Sequence, residues 1–171
     1  MSRIITLCGR GAATPITSTT AAQSDPQAGS QRVVFIEAAK TKAAFEKGQP
    51  LIETGAYKVH ASRREAAGMA EVHTRDTDVI YVLEGRATVV TGGTVVDAKT
   101  TAPDEQRGVR IEGGTPRTIT KGDVLIVPEG VPHWFSEVKG PLLYYVVKVT
   151  QPAGAMSGAV TAAAAAMGSA R

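Results

Sequence analysis

The chain contains one cysteine, Cys8, in 171 residues. This excludes an intramolecular disulfide framework and fits a reducing compartment, so a cytoplasmic location is the expectation. No apolar run approaches 18 residues, which excludes a membrane-spanning helix. Aromatic residues make up only 5% and interleave with no basic stripe. A nucleic-acid partner is therefore not expected, although the sequence pI is about 9.1. That pI rests on a net charge of only +3, from basic residues scattered apart from the Arg63-Arg64 pair. Acidic residues are missing before Asp25, where Arg3 and Arg10 lie among many Ser and Thr. This faintly resembles a transit peptide, but the apolar run from Ile4 to Cys8 is too short for a secretory core. Residues 1–31 are expected to be a disordered leader, and the Ala-rich residues 151–171 a flexible tail.

What remains, residues 32–150, has enough apolar content for one core. Eighteen Gly and nine Pro in the chain point to many turns, as an all-β domain needs. Val33–Ile36 reads as a strand. Ala38–Lys47 favours a short helix, closed by Gly48 and by Pro50 just beyond. From Leu51 onward short β segments follow one another. Glu84-Gly85-Arg86 reads as a break between two strands, and Gly92-Gly93 as a hairpin signal. Lys99–Gly108 is polar, contains Pro103, and reads as an excursion loop. Asp78–Glu84 and Leu142–Val149 are apolar on both faces, whereas a strand with one wet face should alternate. The outer face of a sheet is thus expected to be covered, by the helix or by a second copy in a homodimer.

The chain has three histidines, His60, His73 and His133. Glu71 and His73 are two apart on a strand-forming segment and so project to one face. Asp78 opens the next strand, from which its carboxylate can turn back to the same space. His133 follows Pro128-Glu129-Gly130-Val131-Pro132, a reversal in which Gly130 permits positive φ. A lone histidine in a β protein is more often a structural hydrogen-bonder than a ligand. That is the reading for His60, with a place behind the ligands as the alternative. Phe135 shares parity with His133 and is expected in the pocket wall. Arg63, Arg64 and Arg75 could draw an anionic substrate to the mouth of the pocket, or simply form a solvated face.

The segment Glu71-Val72-His73-Thr74-Arg75-Asp76-Thr77-Asp78-Val79-Ile80-Tyr81-Val82-Leu83-Glu84-Gly85 resembles the first motif of the cupins. In that motif His-x-His is followed by an acidic residue and then a glycine. Gly122-Asp123-Val124-Leu125-Ile126-Val127-Pro128-Glu129-Gly130-Val131-Pro132-His133 resembles the second, with every position from its Gly to its His in place. The resemblance, to small single-domain barrels of the cupin 2 type, implies an all-β double-stranded β-helix (jelly-roll barrel) with a short N-terminal helix. It also implies one divalent metal ion. Position by position, His73 falls on the second histidine ligand, Asp78 on the glutamate ligand and His133 on the last histidine. Glu71 stands where the first histidine is usual.

Two imidazoles and two carboxylates cancel the charge of a divalent ion and suit Fe, Mn, Zn or Ni. Alternatively Glu71 stands off as a catalytic base, and His73, Asp78 and His133 form a two-histidine, one-carboxylate face, the platform of non-haem iron oxygenases. Asp76 is a further candidate for the acidic ligand. The expected function is a metal-dependent enzyme on a small oxygen-containing substrate, leaning to dioxygenase-type oxidation. Isomerase or decarboxylase chemistry is an alternative, as is a non-catalytic ligand-binding or sensing role.

Overall fold

The computed structural model describes residues 33–152. The expected leader and most of the expected tail lie outside them. The compact unit that carries the site begins at Phe35. Among the described residues no helix is long and apolar enough to cross a membrane.

The chain opens with α1 (Ala38–Lys47), then runs through β1 (Gln49–Glu53), β2 (Tyr57–Arg64), β3 (Ala70–His73) and β4 (Asp76–Thr91). The strands β5 (Thr94–Val96), β6 (Lys99–Ala102), β7 (Glu105–Gly108), β8 (Arg110–Glu112) and β9 (Thr115–Thr120) follow. β10 (Val124–Val127) and β11 (His133–Thr150) close the fold. The helix ends as its residues dictate. Gly48 takes a left-handed conformation with φ 65°, and its N–H donates to the Ala44 carbonyl. Lys47 sits in the last turn, where a cation suits the helix dipole.

Nine strands form one antiparallel sheet, ordered β1-β2-β11-β3-β7-β6, in which β4 pairs with β9, β10 and β11. β4 and β11 are its spine, of 16 and 18 residues, paired along most of their lengths. Register shifts near Phe135, Lys139 and Leu143 bend the pair and help the sheet curl. Ile80, Val82, Ala87 and Val89 of β4 fill the concave side. Phe135, Leu142, Tyr144 and Val146 of β11 join them there, with Ile119 of β9. Burying each larger apolar side chain contributes roughly 1.5–3 kcal/mol.

Four local readings are corrected. Residues 33–37 form no strand, because that apolar run meets no neighbouring ladder among the described residues. Glu84-Gly85-Arg86 does not break β4. Gly85, with φ 87°, lets the strand bend where Pro141 and Leu142 come too close for a side chain. Gly92-Gly93 does not make a hairpin, since β5 leaves β4 and pairs with β8 in a separate two-stranded sheet. Finally, Lys99–Gly108 is not a loop. It folds into the β6–β7 hairpin and returns to pair with β3.

The outer face of the spine is covered only in part. Phe45 of α1 meets Tyr145 edge-on, with ring centroids 4.9 Å apart, and Ala44 of the helix and Ala61 of β2 are buried. Tyr81, Val124 and Ile126, farther along the same face, remain exposed.

Candidate metal centre

Strand register brings the site together. β3 lies between β7 and the start of β11, with Glu71 opposite Arg107 on one side and His133 on the other. His73 is opposite Glu105. Directly paired residues share a face, so all five side chains project to one side. Gly130, with φ 76°, donates its N–H to the His73 carbonyl at 2.7 Å, which docks the turn before His133 onto β3. On the spine, Asp78 of β4 is opposite Lys148 of β11.

Of the four donors suggested by the sequence, Glu71, His73 and His133 come together, and Asp78 lies beside the two histidines. His73 Nε2 is 3.6 Å from Glu71 Oε2 and 3.6 Å from Asp78 Oδ2. His133 Nε2 is 3.9 Å from Glu71 Oε2 and 3.7 Å from Asp78 Oδ2. Glu71, His73 and His133 each offer an atom within 4.8 Å of the others. Burial pushes both histidines below their ordinary pKa. At His73 the Lys148 ammonium adds to that effect, while at His133 the carboxylates of Asp78 and Glu71 oppose it. Both rings are therefore neutral near pH 7, the form that can ligate. Behind them, His133 Nδ1 donates to the Val131 carbonyl at 3.4 Å, and Glu105 Oε2 lies 3.8 Å from His73 Nδ1. The carbonyl accepting from His133 Nδ1 places the proton there and turns its Nε2 lone pair inward.

The carboxylates are held in different ways. Glu71 Oε1 faces Arg64 at 3.6 Å and Arg107 at 3.4 Å, leaving Oε2 toward the imidazoles. Arg64 is itself fixed by lying 4.5 Å over the Phe135 ring and donating to the Tyr144 hydroxyl at 3.0 Å. Asp78 is gripped by Lys148, whose Nζ is 2.8 Å from both carboxylate oxygens and 2.8 Å from His73 Nε2. These groups line a cavity of ≈ 330 Å³.

The cupin family profile matches residues 28–168 of this sequence. The chain belongs to the cupin family. The double-stranded β-helix expected from its two motifs accords with the curled antiparallel sheet. Among solved structures, protein BH2720 from Bacillus halodurans aligns with a TM-score of 0.50 at 16% identity, covering 76% of this cupin and 89% of its own chain. That identity speaks for the fold alone. An RmlC-like cupin with a double-stranded β-helix fold from Methanocaldococcus jannaschii scores 0.44 at 14% identity, covering 61% and 80%. Hydroquinone 1,2-dioxygenase from Sphingomonas sp. TTNP3 scores 0.48 at 10% identity, covering 70% and 82%. No curated protein matches this cupin.

The residues present fit a divalent ion. Ligands at about 2.1 Å around one centre stand roughly 3.4 Å from one another, and Glu71, His73 and His133 meet this loosely, while Asp78 lies at such a distance from the two histidines without joining the group of three. The donors are imidazole nitrogens and carboxylate oxygens, with no thiolate. Asp76 is engaged elsewhere, hydrogen-bonded to Lys58 at 2.7 Å and Thr150 at 2.6 Å. Its burial raises its pKa, but these partners outweigh burial and hold it below the ordinary value.

Of the flanking residues expected at the pocket, His60 and Phe135 line the cavity. The His60 ring is held 2.8 Å from Glu53. Arg75 is not among the residues that line the cavity. It sits in the turn between β3 and β4, outside the strand alternation, and spends its guanidinium on the Gln151 carbonyl and Asp104. Arg63 points away from its neighbour Arg64 and pairs with Glu65, whereas Arg64 points in. Sequence reasoning missed Glu105, Arg107 and Lys148. The first two were hidden in the presumed loop, though Glu105-Gln106-Arg107 has the two-residue alternation of a strand. Lys148 left a clearer trace, as the one charge in the apolar run Leu142–Val149.

Proposed function

We propose that this cupin is a metal-dependent enzyme acting on a small oxygen-bearing organic substrate, with dioxygenase-type oxidation as the leading chemistry. The observation that carries the reading is the convergence of Glu71, His73 and His133 beside Asp78 in one cavity. At ≈ 330 Å³ the cavity is at the small end of the ligand-site range of about 300–1,000 Å³. Its lining balances Arg64, Arg107 and Lys148 against Glu71, Asp78 and Glu105. A divalent ion added to that neutral set makes the cavity cationic, which favours an anionic substrate.

A bound ion would supply Lewis acidity at a substrate oxygen and, as Fe or Mn, redox chemistry. The chain's own residues do the rest. Arg64 and Arg107 hold Glu71 so that only Oε2 reaches the histidines. The Phe135 and Tyr144 rings, stacked with centroids 5.4 Å apart, form an apolar wall that keeps water from that side. In the alternative arrangement, with His73, Asp78 and His133 as ligands, Glu71 Oε2 is the group placed to take a proton.

The test is elemental analysis of the purified protein and of Glu71→Ala, Asp78→Ala and His133→Ala, followed by oxygen-electrode assays with small carboxylates and diols. Near one ion per chain, lost in all three variants, supports the four-residue site. Retention in Glu71→Ala alone supports the facial set with Glu71 as base. Absence of metal under every loading condition sinks the metalloenzyme reading. Product formation without oxygen uptake would turn the reading to isomerase or decarboxylase chemistry.

A second reading, a non-catalytic ligand-binding cupin, is favoured by one observation: Lys148 already occupies Asp78 and one histidine nitrogen. It would show as ligand-induced thermal stabilisation without turnover.

A further inference from the structure

We infer that Lys148 is a built-in counter-cation of the ligand cluster, which a divalent ion must displace, and that this residue therefore sets the metal affinity of the site. The inference rests on the metal-site reading above. Three contacts carry it. The Lys148 ammonium lies 2.8 Å from His73 Nε2, 2.8 Å from Asp78 Oδ1 and 2.8 Å from Asp78 Oδ2.

A neutral imidazole has one acceptor lone pair. An ammonium can only donate, so its 2.8 Å contact makes Nε2 the acceptor, and that lone pair can serve Lys148 or an ion but not both. Asp78 has both oxygens committed to the same ammonium. One side chain thus takes up two of the four candidate donors.

The position is set by the fold rather than by chance contact at a surface. Lys148 lies between Asp78 and Lys58 in register across three adjacent strands, and its side chain is only 14% exposed. The nearby buried carboxylate of Asp76 is already held by Lys58 and Thr150. A displaced Lys148 therefore exchanges a buried carboxylate for no ready replacement, and that exchange opposes metal binding. The same contact keeps Asp78 and His73 in place when no ion is bound. The charge of Asp78 is neutralised, and a metal-free site need not fall open.

The experiment uses the full chain stripped with chelator, as wild type, Lys148→Met, Lys148→Gln and His133→Ala. Zn(II) and Mn(II) dissociation constants are measured by competition with a chromophoric chelator, and melting temperatures are taken with and without ion. Both Lys148 variants should bind at least tenfold more tightly than wild type, melt lower when stripped, and gain more on loading. Lys148→Gln retains a polar side chain, so it covers the case in which Lys148→Met does not fold. Equal or weaker binding in the Lys148 variants, with wild type binding above His133→Ala, overturns the inference and leaves the metal site standing. Binding by the Lys148 variants alone upholds the inference and removes the metalloenzyme reading for the wild-type chain. If no variant binds more than His133→Ala does, the metal-site reading falls and takes the inference with it.

Discussion

The Asp78–Lys148 pair lends itself to a quantitative test of the site's energetics. Asp78→Ala leaves the Lys148 ammonium in a site where it is 14% exposed, with His73 as its remaining partner. Removing one member of a buried pair typically destabilises by about 3–5 kcal/mol, because the other charge stays desolvated. Here the cavity gives water some access to the amine, so the low end applies, about 3 kcal/mol for the metal-free protein. Asp78→Asn retains one carbonyl acceptor for the ammonium and should lose less, about 1–2 kcal/mol. Adding Lys148→Met to Asp78→Ala removes the stranded charge. The double variant should therefore be more stable than the sum of the single losses predicts, by about 1–2 kcal/mol. The assay is urea denaturation of chelator-stripped protein, with slopes compared so that changes in the denatured state are recognised. A loss below about 1 kcal/mol for Asp78→Ala, or strict additivity in the cycle, would refute the view that this pair is buried and coupled.

Three further outcomes are expected. Arg107→Ala frees Glu71 Oε1 from one of its two guanidinium partners and should weaken metal binding roughly tenfold, as loss of a group that orients a ligand typically does; unchanged affinity by chelator competition would show that Arg64 suffices. Gly85→Ala places a methyl against the Pro141 carbonyl at φ 87° and should destabilise by about 2 kcal/mol in urea titration. A neutral effect there would mean that the bend of β4 relaxes freely. The homodimer expected from the two-sided apolar strands would use the uncovered strip of Tyr81, Val124 and Ile126. Ile126→Glu should then shift the sedimenting species from dimer to monomer, and a wild-type chain already monomeric at micromolar concentration would refute the expectation.

Much of this protein was legible because it is encoded locally. Gly48 after Lys47 ends a helix through backbone freedom at one position. The period of two places Glu71 and His73 on one face wherever β3 pairs. Pro128, Gly130 and Pro132 determine the reversal that orients His133. These are properties of neighbouring residues, so they survive without knowledge of the partner strands. What only the tertiary structure decided is which strands meet, and in what register. A polar stretch such as Lys99–Gly108 has no buried face to announce a strand, and its pairing with β3 alone brings Glu105 to His73 and Arg107 to Glu71. Gly85 and the Gly92-Gly93 pair permit positive φ, but whether a strand bends or leaves the sheet there depends on what lies across from it. Lys148 could be seen in the sequence as an odd charge in an apolar strand. That its ammonium reaches Asp78 and His73 follows from the pairing of β11 with β4 across some seventy residues of chain, a register that no local pattern contains.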